Sequence, residues 1–171
     1  MDFNPASAGK KPTPQEVARA MYATDVASHA LNITVSVMQA GHARARMVVR
    51  EDMVNTQGLC HGGMIFMLAD TAFAYACNSE NNATVASAAS ITFLRPGREG
   101  ETLTAESVER AREKRNGIFD VTITGEDGNT VAIFQGVSRA IGGESVPGLD
   151  PNRKDSKDIK EAEIVTLPDI F

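Results

Sequence analysis

The sequence predicts an α+β fold in which a six-stranded antiparallel sheet wraps around one long, buried central helix. Three observations carry this prediction. The stretch Met64 to Cys77 is almost wholly apolar, with Asp70 its one charged residue. Other runs alternate apolar and polar residues or are rich in β-branched ones, the signature of strands. Their order is a helix, two strands, the long helix, then four strands. A sheet that lays one face on a single helix buries both apolar surfaces.

Residues 1–12 read as a loose arm, and residues 13–143 as the folded domain. Thr13 lies between Pro12 and Pro14 and is a good N-cap, with Glu16 placed for a capping box. A helix over 13–28 follows, with Val17, Ala20, Met21 and Ala27 on one side. Leu31, Ile33, Val35 and Val37 then alternate with Asn32, Thr34 and Ser36, which is strand periodicity. Gln39 to His42 can turn, and Ala43, Ala45, Met47 and Val49 alternate with Arg44, Arg46 and Arg50, completing a hairpin.

The central stretch runs from Asn55 to Ser79. Small and polar residues lead into His61-Gly62-Gly63, after which Ala, Leu and Met dominate and favour helix. Apolar residues go right round the wheel, so the helix is expected to be buried on every side. It falls short of the roughly 20 residues of a membrane span. The polar cluster Asn78 to Asn82 stops it.

A strand over Thr84–Leu94 ends at Arg95-Pro96-Gly97. The next, from Glu101 to Lys114, carries Leu103, Ala105 and Ala111 on one face. Asn116-Gly117 signals a hairpin into Phe119, Val121 and Ile123. Gly125 to Gly128 turns into a last strand through Val131, Ile133, Gln135 and Val137, ending at Gly142-Gly143. Residues 144–171, rich in charge, Pro and Asp, read as a poorly ordered extension whose end, Ile164 to Phe171, is suited to docking on a partner surface.

At 171 residues the chain can bury a sizeable core. Its 17 basic and 22 acidic residues give a net charge of −5, which argues against nucleic acid or an anionic membrane as partner. Two cysteines, Cys60 and Cys77, fit a reducing compartment, and the N-terminal stretch lacks the apolar run of a signal peptide. A soluble cytoplasmic protein is expected. His61 follows Cys60, which raises a Cys–His nucleophile pair, although adjacent side chains rarely aim at each other. His29, His42 and His61 are the only histidines and lie far apart, so no metal-ligand spacing is present and no cofactor is expected. Asp70 is the anomaly. A carboxylate in an apolar helix is costly unless paired or put to use, and the helix alone leaves both readings open.

Asn55-Thr56-Gln57-Gly58, Cys60-His61-Gly62-Gly63, Leu68 to Asn78, Phe93-Leu94-Arg95-Pro96-Gly97 and Ile141-Gly142-Gly143, in this order, resemble the hotdog-fold acyl-CoA thioesterases of the phenylacetic-acid-degradation type. The resemblance covers roughly residues 15–143 and implies a hotdog fold and hydrolysis of an acyl-CoA. It implies that Asp70 activates water or attacks the thioester directly, and that a backbone N–H at Gly62 or Gly63 holds the developing oxyanion. Asn55 would position water or the acid, His61 would help fix the carbonyl or the turn, and Thr71 would contact substrate or pack. Some relatives hold the water with a hydroxyl on the following strand. Here Ser87 and Ser90 stand among Ala86, Ala88 and Ala89.

Gly62 and Asp70 are eight residues apart, which on one helix is about 12 Å. Attacking group and oxyanion donor must both lie within roughly 3 Å of the reacting atoms. A site built from both therefore takes Asp70 from one subunit and Gly62 from another, and a two-fold dimer makes two such sites. The resemblance extends this to a tetramer, a dimer of dimers. Arg95 and the run Arg110 to Arg115 are candidates for the CoA phosphates, with Arg95 and Arg115 singled out, against the plainer reading of a solvated strand edge. A hotdog dehydratase and a non-catalytic acyl-CoA-binding protein are the competing functions. The first lacks a histidine on the helix beyond its first turn, and the second lacks a DNA-binding domain ahead of the first strand.

Overall fold

Strand pairing in the computed structural model, which describes residues 11–149, follows a single six-stranded antiparallel sheet. The chain forms α1 (Pro14–Tyr22), α2 (Val26–Ala30), β1 (Thr34–Gln39), β2 (His42–Val48), a 3-10 turn (Glu51–Met53), α3 (Gly62–Asn78), β3 (Asn82–Phe93), β4 (Thr102–Glu113), β5 (Asn116–Thr124) and β6 (Thr130–Glu144). The strand order is β1-β2-β4-β5-β6-β3, so β1 and β3 are the edges. The sheet curls around α3, which touches all six strands. This is the expected α+β hotdog architecture.

The inward rows are Val35 and Val37, Ala43, Ala45 and Met47, Leu103 and Ala105, Phe119, Val121 and Ile123, and Ala132 and Phe134, all buried. Ile65, Leu68, Ala69, Ala72, Phe73 and Ala76 of α3 fill the hollow they leave. The ring of Phe73 lies edge-on to Phe119, with centroids 5.3 Å apart, and tilted against Phe134 at 6.0 Å. Gly136 makes room for it, since a Cβ there would sit 2.9 Å from the Phe73 ring.

Several local expectations differ from the structure. The first helix is two: α1 keeps its Thr13–Glu16 capping box, but the chain breaks after Tyr22 and Asp25 caps α2 through the Ser28 N–H. Asp25 also accepts the Ser28 and Tyr75 hydroxyls, so it holds the break against α3. The β4–β5 turn is Lys114-Arg115, with Lys114 at φ 52°, and Asn116-Gly117 already belong to β5. A bulge between Glu109 and Ala111 shifts the end of β4, so Ala111 is exposed opposite Ile118. On β6 the helix-facing residues are Ala132, Phe134, Gly136 and Ser138, while Ile133 points away.

The two sheet edges are treated differently. Carbonyls on β1 are taken by α1: Gln15 Nε2 donates to Val37 O at 3.2 Å and Met38 O at 3.3 Å. Tyr22 Oη donates to Ile33 O at 2.8 Å, just ahead of the strand. β3 is twelve residues long and mostly exposed, and among the described residues nothing covers its free edge. After β6, Ser145 and Val146 stay anchored. Ser145 Oγ donates to Asn78 Oδ1 at 2.6 Å, and Val146 N to Asn81 Oδ1 at 2.8 Å. Both were expected in the loose extension, of which 144–149 are described; 150–171 and most of the N-terminal arm lie outside the described residues.

Candidate active site

The site is built on one stripe of α3, at its N-terminus and its middle. Ile65, Leu68, Ala69, Ala72, Phe73 and Ala76 face the sheet, but Gly63, Phe66, Met67, Asp70 and Ala74 are only half-buried or exposed. The helix is thus not buried on every side within one chain. The sheet curls around its core-facing side and leaves this stripe open beside β3. The neighbouring inner face of β3 carries small residues. Ile91 pairs with Phe134 and Ala89 with Gly136, and Ala86 pairs with Ser138.

Asp70 sits in the middle of the stripe. Among the described residues no donor or cation meets its carboxylate. Burial pushes its pKa above the usual carboxylate range. An acid that is desolvated and unpartnered costs stability, and such groups concentrate at reactive sites. Thr71 beside it turns the other way: it is buried, and its Oγ1 donates back to Met67 O at 2.9 Å.

The N-terminus of α3 is prepared by the loop before it. Asn55 Oδ1 accepts the N–H groups of Gln57 and Leu59, at 2.9 and 3.2 Å, which folds residues 55–59 into a tight loop. Its side-chain amide nitrogen stays unengaged among the described residues. His61 is the N-cap, its Nδ1 accepting from Gly63 N at 3.0 Å, and Met64 N donates to His61 O at 2.8 Å. Gly63 N–H is therefore spent, whereas Gly62 N–H has no acceptor among the described residues. Of the two glycines, Gly62 is the one with a free donor at the positive end of the helix. Phe93, at the end of β3, lies over it, its Cζ 3.0 Å from where a Cβ on residue 62 would stand.

Cys60 and His61 do not form a nucleophile pair. The Cys60 thiol is buried and faces His61 O at 3.8 Å, and burial, with Glu101 contributing, raises its pKa to about 11. Cys77, also buried, is raised to about 12 by burial and then by Asp70. Neither thiol ionises near neutrality.

Most of the expected phosphate-binding arginines are already paired. Arg95 Nη2 meets Glu101 Oε1 and Asp127 Oδ1, each at 2.8 Å. Arg110 pairs with Asp120, and Arg112 with Glu109 and Glu80. Arg115 donates Nε to Ala140 O at 2.9 Å and has no acidic partner among the described residues. Ser87 is the bulged residue of β3 and donates to Val137 O, and Ser90 pairs with Gln135 on the face away from α3. On β3 the residues in register with the helix-facing Ser138 and Gly136 are therefore Ala86 and Ala89, not a serine.

Two clefts of about 250 and 450 Å³, one lined by β1 and β2 and the other between α1 and the end of β6, include neither Asp70 nor Gly62. Among the described residues no group of three or more His, Cys, Asp or Glu comes together to hold a metal, and no helix is long and apolar enough to cross a membrane.

A family model described as the thioesterase superfamily matches residues 57–132. The acyl-coenzyme A thioesterase PaaI of Escherichia coli is 49% identical over 126 residues, covering 74% of this chain and 90% of that protein. Its structure, described as the PaaI protein from the phenylacetic acid degradation operon, superposes with a TM-score of 0.75 at 47% identity, covering 77% of this chain and 95% of that one. A hypothetical thioesterase from Streptococcus pneumoniae, solved with coenzyme A, is 25% identical with a TM-score of 0.63, covering 67% of this chain and 92% of that one.

Proposed function

The chain belongs to the thioesterase superfamily and is a thioester hydrolase of the PaaI type, and from that premise we propose that it hydrolyses an aryl-acyl-CoA such as phenylacetyl-CoA at sites shared between two subunits. One observation carries the reading: Asp70 is a half-buried carboxylate with no partner among the described residues, on a stripe of α3 that those residues leave open. The coenzyme A held by the Streptococcus relative and the operon of the Escherichia relative support the substrate class.

In the proposed reaction Asp70 takes a proton from water as the oxygen attacks the thioester carbon, or attacks that carbon itself to give an acyl anhydride that water then opens. Negative charge builds on the carbonyl oxygen, and Gly62 N–H of the other subunit receives it, aided by the dipole of α3. The C–S bond breaks, and the CoA thiolate leaves and takes a proton. No metal or cofactor enters; CoA arrives with the substrate. Asn55 and His61 shape the turn that aims Gly62. Gly63 supports it through the cap, Thr71 packs, and Arg115 remains the better placed of the two arginines for a phosphate.

The separation of about 12 Å between Gly62 and Asp70 along one helix supports a two-fold dimer. So does the contrast between the capped β1 edge and the open β3 edge, since long unpaired edges invite another strand. The exposed Val85, Ile118, Ile133 and Ile141 give a second apolar surface on which two dimers can meet as a tetramer. The test is thiol release from a panel of acyl-CoAs. Turnover of aromatic acyl-CoAs by the wild type, abolished in an Asp70→Asn variant of unchanged oligomeric state, supports the reading. Binding of acyl-CoA without turnover by the wild type refutes it in favour of a binding protein.

A further inference from the structure

We infer that Arg95 is a positioning residue for this hydrolysis, the pin of an ionic clasp that holds the turn before Gly62 in place. The inference rests on the assignment of Gly62 N–H as oxyanion donor. Three contacts connect the turn to the segment that follows β3. Cys60 N donates to Gly97 O at 2.9 Å, and Leu59 and Arg98 form an isolated antiparallel bridge. Gly97 packs so closely that a Cβ there would lie 3.2 Å from Cys60 Cβ and from Leu103 Cδ1. With Phe93 lying over Gly62, the segment 93–98 brackets residues 59–62 from one side.

What fixes the bracket is Arg95. Its Nη2 bridges Glu101 Oε1, from the approach to β4, and Asp127 Oδ1, from the β5–β6 turn. Each carboxylate does a second task that ties it to backbone: Glu101 Oε2 accepts Arg98 N at 3.0 Å, and Asp127 Oδ1 accepts Asn129 N at 2.9 Å. Gly125 lies directly beneath; a Cβ there would run into both Arg95 Nη2 and Glu101 Oε1. Arg95 Nε is buried with no acceptor among the described residues, an orphan that costs stability. An apolar plug would be the cheaper way to stabilise this corner, because partly buried ion pairs are poor sources of net stability. What the clasp supplies is directional placement of a loop, and the loop it places carries the oxyanion donor.

The test compares Arg95→Met, which keeps the packing stem, with Gly125→Ala, which disturbs the clasp from beneath without altering Arg95. Both are assayed well below their melting temperatures. The expected result is a fall in kcat of about ten- to a hundred-fold, the usual cost of displacing a catalytic group by a fraction of an ångström to 1 Å. KM and product inhibition by CoA stay within about two-fold, and the Cys60 amide exchanges with solvent faster. Arg95→Lys, which keeps one ion pair at a time, recovers part of the kcat. Unchanged kcat in both variants, or a loss that falls on KM and CoA affinity, overturns the inference; the second outcome makes Arg95 a phosphate contact. If the wild type hydrolyses no acyl-CoA, the thioesterase reading fails by itself, and unchanged Cys60 exchange would then separately refute the clasp.

Discussion

Replacing Gly62 with proline should remove the oxyanion donor and almost nothing else. Residue 62 is the first residue of α3, where proline is favoured and where a backbone N–H has no partner within the helix. His61, which precedes it, has φ −61° and ψ 132°, the extended conformation required before proline. A Cβ at residue 62 would press on the Phe93 ring, which is half exposed, so the stability change should stay below about 1 kcal/mol. Loss of a single oxyanion donor costs about 2.7–4 kcal/mol of transition-state stabilisation, a fall in kcat of roughly 100- to 1,000-fold. The shared-site geometry adds a stricter requirement. Co-expressed Gly62→Pro and Asp70→Asn subunits form mixed dimers in which one site takes Asp70 from the first and Gly62 from the second. Each mixed dimer has one intact site of two, so the purified mixed species should regain about half of wild-type activity from two nearly inactive proteins. The assay is thiol release from the purified mixed species carrying two different tags. Activity of Gly62→Pro within three-fold of wild type would reject Gly62 as donor, and failure of mixing to restore activity would reject the cross-subunit site.

Asp70→Asn should stabilise the protein while inactivating it. Burial raises the folded-state pKa of Asp70, so the folded chain holds its proton to higher pH than the unfolded chain, and ionisation above that value costs stability. The gain in Tm from Asp70→Asn should be present at pH 7 and vanish as pH falls below the ordinary carboxylate value of about 3.9; a pH series of melting curves checks this. By the same shift, the acidic limb of the kcat/KM profile should lie above that value. Gly136→Ala places a methyl 2.9 Å from the Phe73 ring, itself held between Phe119 and Phe134, and should cost about 1–3 kcal/mol in denaturant unfolding. Asn78→Ala strips hydrogen bonds from Thr84 N, Thr84 O and Ser145 Oγ at the buried end of α3 and should cost roughly 2–3 kcal/mol by the same assay.

The fold was legible because its main signals are periodic. Met64 to Cys77 could hardly be anything but a central helix, and the alternation in β2 and β5 placed the correct faces inward. β6 was harder to read for a physical reason. Its helix-facing row includes Ala132, Gly136 and Ser138, small because Phe66 and Phe73 fill the space above them, while Ile133, Val137 and Ile141 make its outward row the more apolar one. Hydrophobicity follows what a residue meets, and the outward row of β6 faces away from α3 with Ile133 and Ile141 exposed. The same holds for the β4–β5 turn. Asn116-Gly117 carries turn chemistry, yet Gly117 is needed because a Cβ would meet Ser138 Oγ at 2.7 Å, and the turn falls on Lys114-Arg115.

The candidate site was legible in its residues but not in their division of labour. His61-Gly62-Gly63 offers two glycine donors, and nothing in the letters says which is free. The choice follows only once His61 Nδ1 is seen to occupy Gly63 N–H, leaving Gly62 alone. Arg95 is the converse case. In sequence it is a cation next to a proline, equally suited to a phosphate or a solvated edge, because Glu101 and Asp127 reach it from segments 6 and 32 residues away. Asp70 needs the opposite observation, that no partner arrives from anywhere in the described chain. A charge in an apolar helix invites a search for its counter-ion, and here the fold brings none. The stripe bearing it stays open along the edge that α1 leaves uncapped, so nothing among the described residues completes the surroundings of Asp70, and in the proposed shared site a second subunit does. That requirement links the chemistry of one carboxylate to the assembly, and the mixed-subunit experiment tests both at once.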